Sequence, residues 1–337
     1  MNLHEDKKLF RQAVQFTADK ANIAAIYIEK DYWVTYALKT IFQNEIGRDT
    51  VFKGGTALSK CNLAINRFSE DIDLVVWRRD GETNNQLTNK IRKISSVVNA
   101  VLPEVEVAFV TQKMGMNRKT AHNYSKEFDG SFGQVRDVII VEATWFGYYE
   151  PFTIQRLNSF VGEMMLETGQ EKLAEQYEMM PFEVRVLGPT RTICEKIMSL
   201  VRFSYTENPL ADLRNKIRHC YDLHQLLQQE EFAEFFASGK FDTMFLKVAD
   251  DDVVSFKNNN QWLIHHPNES LIFRDVDRIW HELEATYNGD FRNLVYGELP
   301  NSAAVAETLK KIKERLAKIK WTIKLPESIT YLPENIG

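Results

Sequence analysis

Lys53-Gly54-Gly55-Thr56-Ala57-Leu58 and, one short helix later, Arg67-Phe68-Ser69-Glu70-Asp71-Ile72-Asp73-Leu74 decide how this chain reads. Val51 and Phe52 predict a short strand that ends at the Gly-Gly turn, and Thr56 to Leu58 begin a helix. Ile72, Leu74 and Val76 alternate with Asp71, Asp73 and Val75, a period of two that puts both carboxylates on one face of a second strand. Glycines let a backbone approach phosphate with no Cβ in the way, and a helix N-terminus after them offers free N–H groups to an anion. Thr56 adds a hydroxyl. Two aspartates at i and i+2 can hold Mg²⁺ ions that bridge triphosphate oxygens. Carboxylates set among Ile72, Leu74, Val75 and Val76 are costly to bury without a compensating cation, so one nucleotide site accounts for both stretches.

Outward from this centre, helical spacing of apolar residues predicts two helices ahead of it, from Glu5 to Lys20 and from Ile28 to Phe42. After it come a helix over 84–101 and strands over Val105 to Val110 and Val135 to Thr144. Past Pro181 one more strand, Glu183 to Leu187, is followed by helices over 190–205, 212–230 and 302–320. Strands therefore interleave with helices in a first part, 1–180, and a mainly helical second part, 181–337, completes the site. The acidic triplet Asp250, Asp251, Asp252 reads as a solvated loop.

With 44% apolar and 26% charged residues, the 337-residue composition is that of a folded globular chain. A formal charge of −5 excludes a global field that gathers nucleic acid, so any RNA contact must use a local patch. Cys61, Cys194 and Cys220 are odd in number and lack metal-ligand spacing, which fits a reducing cytoplasm. Met1 to Lys8 are polar, and no apolar run reaches the roughly 18 residues a bilayer span needs. The expectation is a cytoplasmic protein with no membrane partner.

Ile28-Glu29-Lys30-Asp31-Tyr32, Phe52 to Leu58, Arg67 to Leu74, Arg191-Thr192-Ile193-Cys194-Glu195-Lys196-Ile197 and Tyr221-Asp222-Leu223 together resemble the AbiEii-type nucleotidyltransferase toxins. That resemblance covers roughly residues 25 to 230. It implies an α+β fold with a DNA polymerase β-like nucleotidyltransferase core, dependence on Mg²⁺ or Mn²⁺ with an NTP as substrate, and a toxin of a type IV toxin–antitoxin or phage-defence pair. The implied acceptor is RNA, the tRNA 3′ end, and the implied partner is an antitoxin encoded by an adjacent gene. Carried over by motif position, Lys53, Gly54, Gly55, Thr56, Arg67 and Ser69 face the nucleotide, and Asp71 and Asp73 bind the metal. Lys196 and Asp222 complete the catalytic set, Lys196 as a cation for the triphosphate and Asp222 either holding that lysine or activating the attacking hydroxyl. The family often has Asp three residues before Asp222, where this chain has His219. Nucleotidylation of a protein or small molecule, and a non-catalytic nucleotide- or RNA-binding module, are the competing functions.

Glu142, on the strand Ile139-Ile140-Val141-Glu142-Ala143, is a candidate third metal carboxylate or a partner of Arg136 or a nearby lysine. Arg67 either binds phosphate or pairs with Asp71 or Glu70. Val305, Leu309, Ile312, Leu316 and Ile319 mark the packed face of a basic amphipathic helix, whose Lys310, Lys311, Lys313 and Arg315 are candidates for an RNA backbone, extended by Trp321 and Lys324. His265-His266 and the pair His219 and His224 lack ligand spacing for zinc. Trp145, Phe146, Tyr148 and Tyr149 read as core aromatics rather than a base-stacking platform.

Overall fold

A computed structural model describes residues 1–61, 64–130, 135–145, 150–256 and 259–325. Helix α1 (Lys7–Ala21) starts where the Asp6 side chain accepts from the Leu9 amide at 3.0 Å, and stops at Asn22 in the left-handed region. Its Phe10, Val14 and Ala18 pack on α2 (Ala25–Gln43). Then come β1 (Thr50–Lys53), α3 (Gly54–Lys60), β2 (Ile72–Val76) and α4 (Asn84–Asn99), the last opened by a Thr83/Gln86 capping box. Four strands follow: β3 (Glu104–Val105), β4 (Gln112–Met114), β5 (Asn117–His122) and β6 (Ile139–Thr144). Strand β7 (Phe152–Leu157) leads through α5 (Phe160–Glu167) and α6 (Glu171–Gln176) to β8 (Phe182–Leu187).

These strands form one mixed sheet in the order β3-β5-β6-β2-β1-β8-β7, with β4 paired to β5. The middle is set by β1 antiparallel to β2, β2 parallel to β6, and β1 parallel to β8. Alternation along β2 works as its sequence dictates: Ile72, Leu74 and Val76 join a core with α1, α2, α4 and α5 on one face. Asp73 and Val75 point to the other face, where Val51, Val75 and Leu187 make a small apolar patch. At about 1.5–3 kcal/mol for each large apolar side chain buried, the first face fixes the register and therefore which residues the second face presents.

The remaining helices cover that second face. They are α7 (Pro189–Phe203), α8 (Pro209–Asn215), α9 (Ile217–Leu227), α10 (Glu230–Ala237), α11 (Gly239–Ser255), α12 (Leu271–Arg274), α13 (Val276–Asn288) and α14 (Ser302–Leu316). Ile193, Ile197, Leu223, Phe245, Leu283 and Leu309 belong to their common core, which reaches Leu58, Ile65 and Phe68 beside the site. The loop before β2 is tied into this half: the Phe68 amide donates to the Leu294 carbonyl at 2.7 Å and the Tyr296 amide to the Asn66 carbonyl at 3.1 Å. No helix of the described residues is long and apolar enough to cross a membrane.

The architecture is the α+β one expected; the strand expected over Val135 to Thr144 begins only at Ile139, and three further local differences stand out. The strand expected over 105–110 is only Glu104–Val105, because the Val110 and Thr111 amides turn back onto the Val107 carbonyl. The helix expected over 212–230 breaks at Lys216 into α8 and α9. Asp250 to Asp252 form the penultimate turn of α11 rather than a loop. Trp145 packs on the core and donates to the Gly115 carbonyl at 3.2 Å, whereas Phe146, Tyr148 and Tyr149 lie outside the described residues.

Candidate active site

Gly54 sits at φ +81°, a conformation that L side chains rarely adopt, and a Cβ built there would lie 2.2 Å from Oδ2 of Asp73. A Cβ on Gly55 would meet Nη2 of Arg67 at 2.6 Å and Oγ of Ser69 at 3.1 Å. Part of the room left by the two glycines is thus taken by the chain's own carboxylate, guanidinium and hydroxyl. Thr56 is fully buried and donates its hydroxyl to the Asp71 carbonyl at 2.6 Å. Its hydroxyl proton is thus committed to the aspartate loop. Ser69 stays half-buried, 3.0 Å from the Thr56 hydroxyl.

Strand register assembles a row of charge across four strands: Lys53 opposes Asp73, Asp73 opposes Glu142, and Glu142 opposes Lys119. Glu142 accepts from Lys119 at 3.0 Å and from the Asn117 side chain at 3.1 Å. Lys119 and Asn117 outweigh burial and hold its carboxyl below the usual range. Asp73 feels Lys53 and Lys119 as well, but they do not outweigh its burial. Burial first, then the charges of Glu142 and Asp71, push its carboxyl up to about 7. In Asp71, Oδ1 is shut off from solvent without a hydrogen bond, and Nη1 of Arg136 stands 3.9 Å away. Buried carboxylate oxygens normally find donors, so an orphaned one beside a second crowded carboxylate fits a hard cation. Among the described residues no group of three or more His, Cys, Asp or Glu forms a metal cage. Two carboxylates nonetheless match Mg²⁺, which uses one or two of them and completes its shell with water and substrate phosphate.

Behind the row lies a buried ion triad. Nε and Nη2 of Arg67 each donate to Asp222 at 2.7 Å, and Nζ of Lys196 lies 2.7 Å from the same carboxylate. Asp222 has no exposed surface; Arg67 and Lys196 overcome its burial and keep it ionised. Arg67 was expected to meet phosphate or to pair with Asp71 or Glu70, and instead its fork is spent on Asp222. Asp222 holds Lys196, the first of its two expected roles; enclosed by two cations, it is not placed to activate a hydroxyl. His219 stands at the departure from the family pattern, with Nδ1 3.4 Å from Nζ of Lys196. Burial and then the cations Lys196, Lys216, Arg67 and Arg218 keep this imidazole neutral, so it can accept from the lysine where a carboxylate would add charge.

Sheet and helices enclose a cleft of about 380 Å³ floored by Lys53, Glu142 and Asn117 and walled by Arg191, Glu195 and Arg202 of α7 and Asp251 and Asp252 of α11. Lys53 reaches across it to Glu195 at 3.1 Å, and Glu195 is also held by Arg191 at 3.0 Å. Arg191 in turn pairs with Asp251. Burial pushes the Asp252 carboxyl up to about 7 against the pull of Arg202.

Among the quoted stretches, Ile28 to Tyr32 proves to be scaffolding. Glu29 accepts the Glu127 and Phe128 amides at 2.7 and 3.2 Å, Lys30 donates to the Arg136 carbonyl, and Asp31 pairs with Lys60. On α14, Lys310 pairs with Asp277 and Glu307, Lys313 donates to the Arg274 carbonyl, and Arg315 donates to the Phe236 and Ser238 carbonyls. Lys311, Lys318 and Lys320 stay exposed. His224 bonds Thr308, and His266 lies 3.2 Å from the Ile319 carbonyl. Arg202 and Lys216 had no motif to announce them, and Asp251 and Asp252 showed only as part of an acidic triplet read as a solvated loop.

Residues 36–315 match the family described as Nucleotidyl transferase AbiEii toxin, Type IV TA system. Among solved structures, the chain is similar to MenT4, a nucleotidyltransferase toxin from Mycobacterium tuberculosis H37Rv. The TM-score is 0.52 at 15% identity, over 91% of this chain and 90% of that one, a likeness of fold. No curated protein sequence matches.

Proposed function

This chain belongs to the AbiEii family of nucleotidyltransferase toxins of type IV toxin–antitoxin systems, and from that footing we propose that it transfers a nucleoside monophosphate from an NTP to the 3′ end of a tRNA. In this reaction the terminal hydroxyl oxygen of the RNA bonds to the α-phosphorus while the bond from that phosphorus to the bridging oxygen breaks. Pyrophosphate leaves, and the hydroxyl proton passes to solvent water. The observation that supports the reading is the Asp73 carboxylate against Gly54 of the glycine turn, with an oxygen of nearby Asp71 buried without a hydrogen bond. Mg²⁺ or Mn²⁺ held by Asp71 and Asp73, with Glu142 as third carboxylate, would supply charge stabilisation of the phosphoryl oxygens.

The protein's own groups do the rest. Gly54 and Gly55 put no Cβ into the space that the Asp73 carboxylate, the Arg67 guanidinium and the Ser69 hydroxyl share, and the serine hydroxyl is left to face the phosphate path. Lys53, anchored by Glu195, fixes the far rim of the cleft. Lys196, held by Asp222 and steadied by His219, keeps a positive charge close behind the site while both members of the pair stay in place. The part spanning 1–180 brings the carboxylates, and 181–337 brings Lys196, Asp222 and the far wall. RNA runs along the exposed lysines of α14 and beyond, Lys311 first among them, and the enzyme acts in the cytoplasm until an antitoxin from a neighbouring gene neutralises it, a pairing suited to phage defence.

Incubation with each α-labelled NTP and total RNA tests this. Label in tRNA supports it. Label in protein or in a small molecule replaces the acceptor, and no label with any NTP reduces the chain to a binding module.

A further inference from the structure

Most cations that face the cleft are already neutralised. Lys53 pairs with Glu195, Lys119 with Glu142, and Arg191 with Glu195 and Asp251. Arg202 and Lys216 differ: among the described residues neither forms an ion pair. They come from separate elements, the last turn of α7 and the break between α8 and α9, yet converge on a single ring. The Arg202 guanidinium lies 4.8 Å and the Lys216 ammonium 4.7 Å from the centre of Phe203. Arg202 also covers Phe256 at 4.2 Å and lines the cleft.

Two like charges held on one ring repel each other, and the repulsion registers in Lys216. Burial first, then Arg202, Arg218 and Lys119, push Lys216 down to about 8, and burial lowers Arg202 as well. Aromatic faces attract cations but do not cancel their charge. Lys216 also feels the field of Asp73, and Arg202 those of Asp252 and Glu142. A half-buried cation pair that makes no ion pair among the described residues, with only the longer-range pull of Asp252 and Glu142 on Arg202 and of Asp73 on Lys216, matches a polyanion that needs both.

We infer that Arg202 and Lys216 form the polyphosphate subsite, gripping the β- and γ-phosphates of the NTP and then the departing pyrophosphate. This rests on the nucleotidyl-transfer reading. Arginine's planar fork suits two phosphate oxygens at once, and lysine acts as a compact point charge. As the bond to the α-phosphorus breaks, negative charge builds on the bridging oxygen of the leaving group, where fixed cations stabilise it most.

Inorganic pyrophosphate is the probe, titrated calorimetrically into the full chain. R202Q and K216Q should each weaken its binding at least about tenfold, the loss expected for one charged hydrogen bond. Lys240→Gln, an exposed lysine on α11, should leave it unchanged. In the transfer assay the same two variants should raise KM for NTP more than KM for RNA. Wild-type affinity in both variants, or no pyrophosphate binding by the wild type, overturns the subsite. Should a Gln variant unfold, R202K and K216M take its place, and the same tenfold criterion decides. If pyrophosphate binds through these residues while no acceptor is ever labelled, the subsite stands and the transfer reading falls; the reverse result separates them the other way.

Discussion

Asp73 occupies the space in front of Gly54 so fully that a single methyl group on the glycine would overlap its Oδ2. Glycine and carboxylate are one unit. Gly54→Ala must force the backbone out of φ +81°, at about 1–2 kcal/mol, and must also displace the carboxylate. Label incorporation should be lost, with a modest fall in melting temperature. An active G54A would mean that the Asp73 carboxylate is free to sit elsewhere.

Asp71→Asn removes a buried oxygen that has no hydrogen bond, so stability should hold or rise slightly while transfer falls about a thousandfold or more. Chelating the divalent ion with EDTA should do the same to the wild type with little change in melting temperature. Full activity after exhaustive chelation would remove the metal from the reaction.

Asp222→Ala leaves Arg67 and Lys196 buried without their counter-charge. Breaking one partner out of such a group costs about 3–5 kcal/mol, so urea should unfold the variant at a clearly lower midpoint. Combining it with Arg67→Met should recover part of the loss, since the stranded charge is gone. Independent, additive costs would mean that the triad seen here does not hold in solution.

Asp252 binds its proton in the folded chain up to about pH 7, against an ordinary value of 3.8. The folded state therefore holds more protons than the unfolded one between those values, and the stability slope with pH is negative across that window. Relative to Asp252→Asn, the wild type should lose stability as pH rises from about 4 to about 7. Parallel curves for the two proteins across that range would show the carboxyl to be solvated.

Lys311, Lys318 and Lys320 are exposed, whereas Lys310, Lys313 and Arg315 are engaged with protein groups. Replacing the first three with Ala should weaken tRNA binding and flatten its salt dependence by about 0.7–0.9 per lost phosphate contact. Replacing Arg315 should lower the melting temperature first. Anisotropy titrations at several salt concentrations check both. An unchanged slope in the triple variant would move the RNA path off this helix.

The glycine turn, the two aspartates and the helical second half were legible because each depends on local pattern: a period of two, a turn residue, a run of helical spacing. What Asp73 faces was not. Its neighbours Lys53, Glu142 and Lys119 arrive by cross-strand register, and β5, which carries Lys119, reads Asn-Arg-Lys-Thr-Ala-His, a polar run that becomes a strand because β6 offers it a ladder. Arg67 illustrates the limit more sharply. Its partner Asp222 lies 155 positions away, and Asp71 and Glu70 were the nearer choices by sequence. Three-dimensional proximity overrode sequence proximity. The helical state of Asp250 to Asp252 was missed for the same reason, since Arg191 on another helix supplies the charge that three adjacent acids lack.

The hydrogen bonds that bind Asn66 and Phe68 to Leu294 and Tyr296 have a bearing on synthesis. Translation delivers Asp71 and Asp73 more than 200 residues before Leu294 and Tyr296, so a copy cut short ahead of Leu294 carries the two aspartates on a loop without this brace.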